Sequence, residues 1–124
     1  MIDVVCGVIK NGDKYLITQR GDKKNYGKWE FPGGKVKENE HPFDSIKREI
    51  REELGIEISP SKEVYRETFN QFNLIFIFCV FEGDKKQITI KEHLKFMFVN
   101  SNEFYNYDFL EGDINFIKNY KTLF

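Results

Sequence analysis

Glu49, Glu52 and Glu53 stand within five residues of one another in the stretch REIREELGI. On a helix, residues three and four apart are neighbours, so the three carboxylates share one face. Glu49 and Glu53 then form a like-charge pair, which costs about 0.2–0.5 kcal/mol on an exposed helix. They also lie near the helix C-terminus, where the macrodipole disfavours negative charge. Arg48 offers the only help, four residues before Glu52 and in the less favourable order for an ion pair. Broken local preferences of this kind mark a functional candidate. A hard divalent cation would relieve the crowding. Mg²⁺ takes oxygen ligands at about 2.0–2.1 Å, commonly a few carboxylates with water and substrate phosphate. It would neutralise phosphate charge and lower the pKa of a water. The plainer reading is a solvated acidic face.

The elements around the glutamates follow from pattern. A helix is predicted over Pro42–Leu54, with Pro42 at its first position and Gly55 as its left-handed stop. Phe43, Ile46, Ile50 and Leu54 recur at three- and four-residue steps and form its core stripe, offset from the glutamates. MIDVVCGVIK and YLITQR read as strands joined through Asn11-Gly12, a hairpin signal. GDKKNYG reads as a loop, KWEF as a short extended piece, and Pro32-Gly33-Gly34 as a turn. NQFNLIFIFCVFEG is too aromatic and β-branched for a helix and reads as one long strand. KQITI and LKFMFV are expected to be further strands. SNEFY is expected to open a short helix capped by Ser101. EGDINFIKNYKTLF carries Ile114, Ile117 and Tyr120 or Lys121 in helical register. The sum is an α+β fold, a mixed sheet sandwiched between helices, with one domain over residues 1–124.

Composition narrows the partners. The net charge is −1, with no basic excess, so a small phosphorylated molecule is expected rather than a nucleic-acid polymer. Thirteen Phe and six Tyr predict a ring-filled core. Cys6 and Cys79 are far apart inside apolar runs, which predicts buried thiols and a reduced, cytoplasmic setting. The apolar runs are short and broken by charge, so no membrane span is expected.

The stretch from Gly34 to Ile56 resembles the box that defines the Nudix hydrolase family. That box runs Gly, five residues, Glu, seven residues, Arg-Glu, an aliphatic residue, any residue, Glu-Glu, any residue, Gly, an aliphatic residue. This chain supplies Gly34, Glu40, Arg48, Glu49, Ile50, Glu52, Glu53, Gly55 and Ile56. At roughly 5–8% background usage each, the seven fixed positions match by chance on the order of once in 10⁸ starts. The resemblance implies that Glu49, Glu52 and Glu53 are ligands of Mg²⁺, with Mn²⁺ a possible substitute and Gly33 a further metal position. It implies Glu52 or Glu53 as the base, Arg48 as the partner that orients a glutamate, Glu40 as a structural or outer metal residue, and Gly34 and Gly55 in backbone roles.

Beyond the box, WEFPGGK and the C-terminal half resemble the MutT-type and CTP pyrophosphohydrolase branch, which removes pyrophosphate from nucleoside triphosphates. The substrates implied are oxidised or modified nucleotides such as 8-oxo-dGTP, or cytidine nucleotides. That resemblance implies Glu92 as an extra ligand or base. It implies Asp113 as a contact to the nucleobase, where a helix N-cap is the alternative, and Phe31 as a ring that stacks on the base, where plain core packing is the alternative. Arg20 would grip phosphate through its fork of donors. His93 is assigned no catalytic role. His41 stands where the family commonly has Ser or Thr, which predicts a weaker N-cap. A monomer or homodimer is expected. Other nucleoside diphosphate derivatives (ADP-ribose, dinucleoside polyphosphates) and a non-catalytic nucleotide-binding module are the alternatives.

Overall fold

The computed structural model describes residues 1–119. Strand β1 (Ile2–Asn11) turns through Gly12 and Asp13 into β2 (Lys14–Gln19). Gly12 has φ +63° there, the left-handed backbone that the Asn-Gly signal predicts. Next come β3 (Trp29–Glu30), β4 (Gly33–Lys35), helix α1 (Pro42–Leu54), β5 (Ser59–Phe69), β6 (Phe72–Val80), β7 (Lys95–Val99) and helix α2 (Glu111–Asn119). The sheet is mixed. β1 and β6 run parallel from Ile2 opposite Phe72 to Lys10 opposite Val80, and the other pairings are antiparallel.

β1 also forks. Its far end pairs with β2, while Val4, Val5 and Cys6 pair with Lys35, Gly34 and Gly33 of β4. β2 takes β3 and β7 as its own partners, so the sheet opens into two wings. Side chains alternate across it. On one face Val5, Ile9, Leu16, Ile75 and Ile77 pack with Ile46, Ile50 and Leu54 of α1. On the other, Val8, Ile17 and Phe76 pack with Phe31, Phe104, Phe109, Phe116 and Ile117. Rings dominate this second layer, and Phe76 and Phe116 stack at 4.3 Å. The expected layering, with a helix on each face of a mixed sheet, is what forms.

Helix α1 has the predicted bounds, and Gly55 closes it at φ +69°. His41 is not a weak cap: its Nδ1 accepts from the Phe43 N–H at 3.0 Å, doing with a ring nitrogen what a hydroxyl does elsewhere. Cys6 and Cys79 are buried free thiols, as expected.

Several expectations are corrected. Pro32-Gly33-Gly34 is not merely a turn, since the two glycines enter β4. The long aromatic strand begins at Phe72, because Asn70 at φ +55° turns the chain back from β5. β5 itself escapes a hydrophobic reading because it is a polar edge strand on which Val64 is the only buried residue. KQITI is not a strand. Lys85–Gln87 form a 3-10 turn, and the Thr89 N–H then caps the Leu54 carbonyl of α1. SNEFY is part of a 3-10 segment (Ser101–Asn106) that starts from Asn100, not Ser101. Ile114 is half-buried and Ile117 buried on α2, whereas Tyr120 and Lys121 lie outside the described residues.

Candidate active site

The open end of the fork leaves a cleft of about 360 Å³. Its walls come from the end of β2 (Arg20, Gly21, Asp22), from Glu30 and Gly33, from Glu49, Glu52 and Glu53 of α1, and from the Lys91–His93 loop. Arg20, Gly33, Glu92 and all three helix glutamates are therefore brought together as the sequence suggests.

The helix glutamates are not equivalent. Glu52 is exposed at the rim, with 56% of its side chain accessible, while Glu49 is at 16% and Glu53 at 23%. Arg48 explains how so much acid is tolerated. Its Nε and Nη2 grip Glu40 at 2.8 and 3.0 Å, Nη1 reaches Glu49 at 3.0 Å and Glu52 at 3.3 Å, and Nη2 also donates to the Lys35 carbonyl at 3.1 Å. The sequence counts only the weak Arg48–Glu52 pair. Folding adds Glu40, which also accepts from the Lys37 N–H at 3.0 Å and so ties the loop to the helix. The Arg48 guanidinium and the Lys37 N–H hold the Glu40 carboxyl down at about 2.

Gly34 meets Glu49 closely. A Cβ at Gly34 would lie 2.4 Å from the Glu49 carboxylate, so only glycine lets the carboxylate sit against the β4 backbone. Glu53 faces inward, and its carboxyl is held well above the usual range. Burial is the first cause, then a hydrogen bond that the protonated Glu53 carboxyl donates to Glu49 and the charges of Glu30 and Glu49, opposed by Arg20. Glu92 lies on the facing loop and takes no hydrogen bond or ion pair among the described residues.

Two cleft residues were not singled out from sequence. Glu30 is 8% exposed, and its carboxylate receives Arg20 Nη1 at 3.1 Å and meets His93 Nε2 at 2.9 Å. His93, set aside as a loop histidine, reaches inward to within 3.7 Å of Glu53. The available signal was Glu30 itself, a carboxylate between Trp29 and Phe31 in a stretch otherwise bound for the core.

Phe31 and Asp113 are placed in the core, off the lining of this cleft. The Phe31 ring is 2% exposed and packs against Phe76, Phe104, Phe109 and Phe116, so it offers no face to a base. Asp113 is not an N-cap. It lies in the first turn of α2, where its own N–H donates to the Leu110 carbonyl. It is 4% exposed, off the cleft wall, and its Oδ2 accepts from the Phe31 N–H at 2.8 Å. Burial, then the charge of Glu30, push its carboxyl well above the ordinary 3.8. Such an acid stabilises the fold most below the unfolded value and loses that stability as pH rises through the folded one. Asp113→Asn is expected to melt with the wild type near pH 4 and above it at pH 7. Melting curves across that range check this.

The oxygen-rich donor set suits a hard divalent ion. Glu30, Glu53 and His93 bring donor atoms within 4.8 Å of one another, and burial with the neighbouring carboxylates leaves Glu53 a costly group to ionise without a cation. The family model described as NUDIX domain matches residues 2–120. The chain belongs to the Nudix family.

Nudix relatives fall into two groups by coverage. The 8-oxo-dGTP diphosphatase of Buchnera aphidicola is 49% identical over 57 residues, 45% of this chain and 44% of that protein. The CTP pyrophosphohydrolase of Escherichia coli is 43% identical over 65 residues, 52% of this chain and 48% of that protein. The match to each thus spans about half its length. The nucleoside triphosphatase NudI of Escherichia fergusonii is 31% identical over 121 residues, 85% of this chain and 86% of that one. The solution structure of the E. coli ORF135 protein superposes with a TM-score of 0.80 at 28% identity, covering 99% of this chain and 90% of that one. The chain is thus a Nudix family member similar in sequence and fold to MutT-like proteins. Among its described residues, no helix is long and apolar enough to cross a membrane.

Proposed function

We propose that this Nudix hydrolase is a Mg²⁺-dependent nucleoside triphosphate pyrophosphohydrolase, which cleaves a triphosphate to nucleoside monophosphate and pyrophosphate. Its substrates would be oxidised or modified nucleotides such as 8-oxo-dGTP, or cytidine nucleotides, cleared from the cytoplasmic pool. The observation that carries the reading is the convergence of Glu49, Glu52, Glu53 and Glu92 opposite the Arg20 guanidinium in one cleft. Similarity to relatives named for hydrolysis of nucleoside triphosphates supports the substrate class.

Glu49 and Glu53, with Glu52 at the rim and Glu92 from the loop, would hold the cation. Bound there, Mg²⁺ or Mn²⁺ would neutralise phosphate charge and lower the pKa of water. Arg48 fixes the glutamate rotamers through Glu40 and Glu49. Arg20 takes the phosphate chain, as its Nη2 has no hydrogen-bond partner among the described residues. Water attacks a phosphorus of the anhydride, Glu52 or Glu53 accepts its proton, and the bridging P–O bond breaks with pyrophosphate leaving.

The test is a product assay. Purified protein with Mg²⁺ meets canonical, oxidised and methylated triphosphates, ADP-ribose and diadenosine polyphosphates, with a chelator control. Monophosphate plus pyrophosphate from one or two triphosphates is the expected result and names the base. Turnover of ADP-ribose or a dinucleotide alone replaces the substrate class. No turnover of any of these supports a binding module instead.

A further inference from the structure

His93 touches two carboxylates through one nitrogen. Its Nε2 lies 2.9 Å from Glu30 Oε2 and 3.7 Å from Glu53 Oε1. That cluster has two chemical readings: a nitrogen ligand for a cation, or a hydrogen-bond donor to Glu30. The other ring nitrogen decides between them. Nδ1 is buried and has no hydrogen-bond partner among the described residues. A histidine that ligates through Nε2 carries its proton on Nδ1 and almost always hands it to an acceptor. Here that proton would be a buried, unsatisfied donor, whereas a proton on Nε2 meets Glu30 at hydrogen-bond distance. His93 is therefore a donor, and its side chain, 9% exposed, is held in place by its surroundings.

Glu30 passes the constraint on. Its Oε2 is taken by His93 and its Oε1 by Arg20 Nη1, while Arg20 Nε is tied to Asp22 at 2.7 Å. The scaffold beneath is rigid. Thr18 of β2 pairs with Glu30 of β3, the Leu94 N–H donates to the Gln19 carbonyl, and a Cβ at Gly21 would lie 2.8 Å from the Glu92 carbonyl. β2, β3 and the loop before β7 thus converge on one guanidinium.

We propose that His93 is a positioning residue which, through Glu30, sets the Arg20 guanidinium on the cleft wall to receive the phosphate chain of the substrate. The inference rests on the reading of Arg20 as the phosphate grip. Arg20 is an extended side chain with many rotamers, and fixing its fork before binding removes an entropic cost that would otherwise weaken binding.

The test is a double-mutant cycle with the triphosphate that the enzyme turns over. His93→Leu is expected to raise KM about tenfold while kcat changes by less than about threefold, the mark of lost binding rather than lost chemistry. His93→Gln, which keeps a donor at similar reach, recovers most of the loss. In an Arg20→Ala background, His93→Leu adds nothing further, since there is no guanidinium left to position. Additive penalties, with Arg20→Ala itself raising KM, overturn the inference and leave the phosphate grip standing. An unchanged KM in Arg20→Ala overturns the grip and the inference with it. Nitrogen-15 spectra of the wild-type histidine serve if the leucine variant does not fold. A protonated Nε2 that persists when Mg²⁺ is added supports the inference, and a bare Nε2 with the proton on Nδ1 overturns it.

Discussion

Glu53→Gln is expected to lower Mg²⁺-dependent turnover by about 10³-fold while making the metal-free protein more stable. The loss follows from removing an inward carboxylate that would serve as cation ligand or proton acceptor, where one acid–base group is worth about 10²–10⁴ in rate. The gain follows from its surroundings. Burial, the Glu49 carboxyl and the charge of Glu30 all oppose ionisation of Glu53. A carboxyl raised in this way gives the folded state more bound protons than the unfolded chain. Stability is then full below the ordinary value of 4.5 and declines as pH rises from there. Glutamine removes the decline, so the variant and the wild type melt together near pH 4 and separate as pH rises. At pH 7 the gap should be on the order of 1 kcal/mol, about 4 °C for a chain of this size. Melting in chelator, with turnover measured in parallel, checks both signs. Full turnover in the variant would remove Glu53 from the chemistry, and a lower melting temperature would remove the crowding argument.

Gly33→Ala is expected to be the most damaging single methyl in the described structure, and Gly34→Ala, one residue on, to damage function instead. A Cβ at Gly33 would lie 1.8 Å from the Val5 carbonyl oxygen and 3.1 Å from the Cys6 Cα. Those atoms belong to the β1 backbone, to which β4 is paired at Val5–Gly34 and Cys6–Gly33. Backbone cannot rotate aside as a side chain can, so the pairing must open. A cost of at least about 3 kcal/mol is expected, as for other severe backbone or packing conflicts. At Gly34 the clash is with the Glu49 carboxylate, the far end of a side chain that can swing away. Gly34→Ala should therefore fold, with turnover down about tenfold or more because Glu49 has been displaced from the cleft. Denaturant melts separate the two variants. Equal stability losses would contradict the assignment of one clash to backbone and the other to side chain.

How much of this was legible depends on the range of the interactions. The chemistry of α1 is local. Its bounds, its stripe of Ile46, Ile50 and Leu54, the left-handed stop at Gly55 and the shared face of Glu49, Glu52 and Glu53 follow from a 3.6-residue period inside one segment. The box is likewise contiguous, so the family could be read from it. The Arg48 clamp was only half legible, because Glu40 meets Arg48 after the loop between them has folded back. β5 was not legible, because an edge strand with one buried residue carries no hydrophobic pattern.

The sequence by itself determined the kind of chemistry: a run of acid on one helical turn, a glycine before it, and enough apolar alternation to make a two-faced sheet. Tertiary structure decided which groups share the cleft. Arg20, Glu30 and His93 come from positions up to 73 residues apart and meet only because β2 takes β3 and β7 as partners. The same packing buried Phe31 and Asp113. A ring and a carboxylate near a site can face substrate or core with equal ease on sequence grounds. The outcome turned on α2 laying Phe116 beneath Phe31 and leaving the Phe31 N–H to Asp113. Side-chain periodicity is a property of one segment, but register and layer are properties of pairs of segments distant along the chain.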